Sequence, residues 1–133
     1  MDKKILTVFP YYKNPEGQYF PIIPLRLRYQ KRNIDSSALI DSGATVSIFR
    51  TDVAAHLGIV VEEGEEIYLG GVGGRIKGYI HNLELEIAGN KFSCPIVFSY
   101  EYLISLNLLG RAEFFKRYRI IFEENKKILK LES

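Results

Sequence analysis

The stretch Ala38-Leu39-Ile40-Asp41-Ser42-Gly43-Ala44 decides how this chain is read. Ala38-Leu39-Ile40 has the composition of a short buried strand, and Gly43 permits the sharp turn that would end it. A carboxylate at the end of such a strand is costly unless its oxygens find donors. Amides around the turn can supply them, and the Ser42 hydroxyl can reach a neighbouring backbone. Asp-Ser-Gly is also a common turn tripeptide, so this stretch alone leaves both readings open.

Outward from that turn the chain reads mostly as strand. Leu25, Leu27 and Tyr29 alternate with Arg26 and Arg28, giving one apolar and one charged face. The polar stretch Gln30 to Ser37 is expected to turn the chain. Val46 to Phe49 alternates again, and Thr51 reads as the N-cap of a short helix over 52–57 that Gly58 closes. Ile67-Tyr68-Leu69 and Arg75 to Ile80 flank Gly70-Gly71-Val72-Gly73-Gly74 as the arms of a hairpin. Leu83 to Ile87 alternates strictly up to an Ala88-Gly89-Asn90 turn, and Phe92 to Phe98 returns as its partner. Arg111 to Tyr118 has helical character, and Arg119 to Phe122 pairs with Lys127 to Leu131 across Glu124-Asn125. Many short strands with one or two brief helices predict an all-β fold built as a closed or nearly closed β-barrel. Residues 1–20, with Pro10, Pro15 and several aromatics, read as an N-terminal arm rather than a strand, leaving 21–133 as a single domain.

Composition narrows the partners. At 133 residues the chain is one domain, with 47% apolar and 26% charged residues, a globular balance. A net charge of +2 is too small to argue for nucleic acid or an anionic membrane. The basic runs Lys116-Arg117-Tyr118-Arg119 and Arg26 to Arg32 read as solvated faces, and Glu62 to Glu66 as an exposed acidic loop. No signal-like or bilayer-length apolar run is seen, and Cys94 is the only cysteine, so no intrachain disulfide can form. A cytoplasmic location is the expectation. His56, His81 and Cys94 lack metal-ligand spacing, and neither Ser42 nor Cys94 has a histidine placed to activate it. The glycine cluster lacks the Lys-Ser/Thr ending of a phosphate-binding loop. No metal and no cofactor are expected.

Two further segments give the Asp41 stretch its context. Ala-Leu-Ile-Asp-Ser-Gly-Ala resembles the catalytic turn of the retropepsins, the retroviral-type aspartic proteases, and of their cellular and prokaryotic relatives. Tyr68 to Lys77 resembles that family's flap, down to the Gly-Gly-aliphatic-Gly-Gly tip. Asn107-Leu108-Leu109-Gly110-Arg111 resembles the segment that packs behind the catalytic loop and opens the C-terminal helix. The resemblance spans Leu25 to Phe122. It implies an aspartic endopeptidase that works as a homodimer, since Asp35 and Asp52 offer no second Asp-Ser-Gly turn and each copy must supply one Asp41.

The same resemblance gives Asp41 the catalytic carboxyl, Ser42 the locking of the two loops across the dimer, and Gly43 the approach of the substrate backbone. Ala44, Gly70, Gly71, Val72, Gly73 and Gly74 would hold an extended peptide, with Leu108, Leu109, Gly110 and Arg111 as structural support. Ile48, Val72, Ile76, Leu106 and Leu108 are candidates for apolar pockets. The alternative is a catalytically idle member that binds extended peptides or serves as a dimerisation module. This chain departs from the viral pattern at Thr45 and Val46, where acids are usual. Arg111 therefore lacks its expected partner unless Glu113 substitutes. With its different termini, the chain stands closer to cellular and prokaryotic members than to viral ones.

Overall fold

Period-two alternation sets the faces of the longest strands, and the pairing of those strands closes a ring. The computed structural model describes residues 4–71 and 73–133. In chain order the elements are β1 (Leu6–Pro10), β2 (Tyr12–Lys13), β3 (Tyr19–Phe20), β4 (Ile22–Tyr29), β5 (Arg32–Ile40), β6 (Ser47–Phe49) and α1 (Thr51–His56). They continue as β7 (Glu65–Gly71), β8 (Gly74–Ile87), β9 (Asn90–Phe98), β10 (Leu108–Leu109), α2 (Phe114–Arg117), β11 (Arg119–Glu123) and β12 (Ile128–Glu132).

The main sheet runs β4-β5-β10-β6-β9-β8-β7, and β4 also pairs with β8. That extra pairing, Arg26↔Glu86 to Arg28↔Glu84, joins the first strand to the sixth and closes the ring. Pro24, which cannot donate to a ladder, stands in β4 just before the stretch that β8 joins. On β4 the expected alternation holds: Leu25 and Leu27 are buried and Arg26 and Arg28 exposed. Arg26 Nε donates to Asp35 Oδ1 at 2.7 Å across the β4–β5 pair, on the solvent side. Leu83, Leu85 and Ile87 of β8 point inward with Phe92, Cys94 and Ile96 of β9, and this interior continues to Phe49, Leu109 and Phe114. A two-residue turn, Ala88-Gly89, joins β8 to β9, both residues having positive φ.

A second, three-stranded sheet, β1-β12-β11, covers one part of this core with the almost fully buried Leu129 and Leu131. Here the N-terminal reading is corrected: Leu6–Pro10 is a strand, in register with β12 from Leu6↔Glu132 to Pro10↔Ile128. Its exposed Leu6 and Val8 made the segment look unlike a half-buried strand. Four other expectations are corrected as well. β5 begins at Arg32, so only the residues around Gln30 and Lys31 turn, and the polar residues lie on a hairpin arm. Ser47, Ile48 and Phe49 are all buried rather than alternating, so both faces of β6 are covered. Thr51 is the first helical residue of α1 and not its cap; Arg50 holds that place without a side-chain bond. The C-terminal helix is one turn, Phe114–Arg117.

Leu85, fully buried where β8 pairs with both β4 and β9, tests the ring directly. Leu85→Ala is expected to lower unfolding free energy by about 2–5 kcal/mol, read as a shifted midpoint in urea denaturation.

Candidate functional site

The Asp41 turn is fixed by a strand of two residues. β5 leads into the turn and β6 leaves it, and β10 lies between them, parallel to β5 (Leu108↔Leu39, Leu109↔Ile40) and antiparallel to β6 (Leu108↔Ile48). Leu39 N–H donates to the Asn107 carbonyl at 2.8 Å, and Asp41 N–H to the Leu109 carbonyl at 3.0 Å. Past β10 the direction of donation reverses. Arg111 N–H donates to the Ala44 carbonyl at 2.9 Å and Ala112 N–H to the Thr45 carbonyl at 3.0 Å. Both ends of the turn are therefore held by one segment.

Within the turn, Gly43 N–H donates to Asp41 Oδ1 at 2.9 Å, and Ala44 N–H to the Asp41 carbonyl at 3.2 Å. The carboxylate is thus oriented by the backbone of its own loop while staying half-exposed. Ser42 and Gly43 are exposed and Ala44 half-buried. Behind the turn, a Cβ on Gly110 would lie 2.4 Å from the Val46 carbonyl oxygen and 2.8 Å from that of Ala44. Only glycine lets the two backbones approach so closely. Gly110 N–H donates at 2.9 Å to Oγ of Ser47, which is fully buried.

Asn107 adds a second fastening. Its Nδ2 donates to Ser36 Oγ at 3.2 Å and to the Ser37 carbonyl at 3.0 Å, and its Oδ1 accepts from Arg50 N–H at 2.8 Å. Tyr102 O–H donates to the Leu106 carbonyl. Burial pushes the Tyr102 phenol above its ordinary range, and the Asp41 charge adds to that shift.

The hairpin of β7 and β8 narrows to a last pair, Gly71↔Gly74. Gly73 and Gly74 have φ of 98° and 120°, conformations that side chains rarely adopt. Val72, expected at the tip, lies outside the described residues. One face of the hairpin carries Tyr68 and Lys77, with the Arg75 guanidinium 4.7 Å from the centre of the Tyr68 ring. The other carries the half-buried Ile67, Leu69 and Ile76. Among the pocket candidates, Ile48 and Leu108 are cross-strand neighbours, while Ile76 of β8 and Leu106, in the irregular segment before β10, are half-buried.

Arg111 is exposed, and Glu113 does not serve it: the Glu113 carboxylate is engaged by Lys116 at 2.9 Å and Arg117 at 3.5 Å. Arg111 acts here through its backbone. Burial pushes the Cys94 thiol up to about 12, which leaves it without thiolate character near neutral pH. His56 is exposed, and His81 Nε2 sits 2.9 Å from the Val61 carbonyl oxygen. No group of three or more potential metal ligands occurs among the described residues, and no helix among them is long and apolar enough to cross a membrane. A concavity lined by Arg28, Asn82, Glu84, Lys91 and Phe92 includes nothing from the Asp41 turn or the glycine hairpin.

The sequence reading gives Ser47 and Tyr102 no part in this assembly, and it places Asn107 in the supporting segment without its side-chain bonds. Ser47 carried one signal, a hydroxyl inside an apolar run, whereas the Asn107 contacts join residues more than fifty positions apart.

Comparison with known proteins places this geometry. Residues 28–111 match the family model described as "Aspartyl protease", and the chain belongs to that family. A retropepsin-like aspartic protease from Rickettsia conorii has a similar structure, with a TM-score of 0.71 and 16% identity, over 98% of this chain and 93% of that one. EIAV protease in complex with the inhibitor HBY-793 aligns with a TM-score of 0.58 and 19% identity, over 74% of this chain and 86% of that one. The fold is that of the retropepsin-like aspartic proteases. No curated protein sequence matches the chain.

Ser47→Ala would strand the Gly110 N–H in a buried site. The expected cost is about 1–3 kcal/mol of stability, measured by urea denaturation. Gly110→Ala is expected to cost more, since the backbones of Val46 and Ala44 must move to admit the methyl group.

Proposed function

We propose that this chain is an aspartic endopeptidase that acts as a homodimer, with one Asp41 from each copy facing a single water. The observation that carries the reading is the backbone-oriented, half-exposed carboxylate of Asp41, on an Asp-Ser-Gly turn in a chain of the aspartyl protease family. One such turn per chain gives half of a catalytic pair, so the second half comes from a second copy. A two-fold interface through the turn supplies it with no new element.

The chemistry follows from like charge. Two carboxyl groups in contact cannot both ionise easily, so the pair shares one proton, and its titration belongs to the pair. The ionised Asp41 takes a proton from the water as its oxygen attacks the scissile carbonyl carbon. The protonated Asp41 gives its proton to the carbonyl oxygen. Breakdown of the tetrahedral intermediate breaks the C–N bond with proton transfer to the leaving nitrogen, and no acyl-enzyme forms. The glycine hairpin covers an extended peptide and offers backbone amides to it, while Ser42 locks the two turns across the dimer. Ile48, Ile76, Leu106 and Leu108 form apolar walls for substrate side chains.

Asp41→Asn is expected to lower kcat on an unstructured protein substrate by about a thousandfold while leaving the unfolding midpoint nearly unchanged. A statine-type transition-state mimic should inhibit the parent protein, and sedimentation should show a dimer at working concentration. Equal cleavage by Asp41→Asn, or a strict monomer that remains active, would refute the mechanism.

A further inference from the structure

β8 outruns its partner. The β8–β9 ladder ends at Tyr79↔Phe98, yet β8 continues toward the hairpin tip as far as Gly74. On one edge Lys77 is paired with Tyr68 of β7. On its other edge, where β9 has ended, the Lys77 backbone groups need different partners. Two side chains from the segment after β9 supply them. The Glu101 carboxylate accepts from Lys77 N–H at 2.8 Å, and Ser99 O–H donates to the Lys77 carbonyl. Ser99 is 1% exposed, and its Oγ also accepts from Glu101 N–H at 3.1 Å. Serine and glutamate thus hold each other and together replace a strand edge.

The segment that begins with this latch ends at the Asp41 turn. After Glu101, Tyr102 ties to the Leu106 carbonyl, Arg50 Nη1 donates to the Ser105 carbonyl at 3.1 Å, and Asn107 enters the fastening behind the turn. Residues 99–107 therefore connect the root of the glycine hairpin to the loop that holds the carboxylate. Among the described residues, the hairpin from Lys77 toward its tip is joined by strand pairing only within itself, so its angle depends on what grips that root.

We propose that Glu101, supported by Ser99, is a positioning residue for peptide hydrolysis: its carboxylate grips Lys77 N–H and sets the flap over the Asp41 turn. This rests on the endopeptidase reading above. A carboxylate accepting an amide N–H makes a charge-assisted bond, stronger than a neutral one. Glu101 is exposed, so its removal leaves no hole in the core. An unlatched flap samples positions that do not close on substrate, and that loss falls on binding of the peptide.

The test compares Glu101→Ala and Glu101→Gln with the parent protein. Glu101→Ala is expected to raise KM for a peptide substrate about tenfold, with a much smaller change in kcat and an unchanged urea midpoint. Amide exchange over 67–77 should quicken by a similar factor, while exchange in β9 stays as it was. Glu101→Gln keeps an acceptor oxygen and should recover most of both effects. Unchanged flap exchange in Glu101→Ala overturns the proposal, and so does faster exchange with an unmoved KM, which reduces Glu101 to a structural role. If the parent cleaves no peptide, the exchange measurement alone decides whether Glu101 grips the flap root, so failure of the protease reading and failure of the latch are separate results.

Discussion

The structure depends on β10, two residues inserted between the strands on either side of the Asp41 turn. β5 and β6 do not touch each other in the sheet order; β10 joins them and so completes the ring. The same insertion brings the Leu109 carbonyl to Asp41 N–H and Arg111 N–H to the Ala44 carbonyl. Continuity of the sheet between β5 and β6 and the placement of the carboxylate therefore rest on the same two residues. Leu109 is fully buried, and Gly110 leaves no space between its own backbone and that of Val46, so the insert has one depth at which it fits.

A second regularity runs through the fold. Where a strand ends before its neighbour's backbone groups are satisfied, a polar side chain takes over. Ser47 receives the Gly110 N–H, Asn107 receives that of Arg50 while donating to the Ser37 carbonyl, and Ser99 with Glu101 brackets Lys77. Each replaces a backbone partner that a longer strand would have provided, and at the buried Ser47 leaving the group bare costs more than the bond gains. These substitutions cluster around β10 and the root of the glycine hairpin. They permit short strands and sharp turns where a regular barrel would have long ladders.

That distribution explains what was legible in the sequence. β4, β8 and β9 alternate because one face meets the core and the other meets water, so period two is written in their residues. The Asp41 turn, the glycine hairpin and the Leu108-Leu109-Gly110 segment were visible as local patterns, and the comparisons agree with the family those patterns resemble. β6 was misread because a strand with neighbours on both edges and packing on both faces does not alternate. β1 was missed because its pairing with β12 joins the two ends of the chain. The polar start of β5 reads as a turn because its partner, the charged face of β4, supports it on the solvent side through Arg26 and Asp35. The side-chain bonds of Asn107 and Glu101 are illegible for the same reason, since their partners lie far away in sequence.

The departures from the viral pattern also have a physical account. Thr45 and Val46 stand where a carboxylate would have paired with Arg111, and Glu113 is taken by Lys116 and Arg117. An ion pair between exposed groups contributes little, about 0–1 kcal/mol. Two main-chain bonds, Arg111 N–H to the Ala44 carbonyl and Ala112 N–H to the Thr45 carbonyl, span the same gap. They require only that the backbones come close, which Gly110 secures through its missing side chain. The fastening of the turn has thereby become independent of side-chain charge at positions 45, 46 and 111. Those two bonds persist as acid neutralises surface carboxylates, because backbone amides do not titrate in that range.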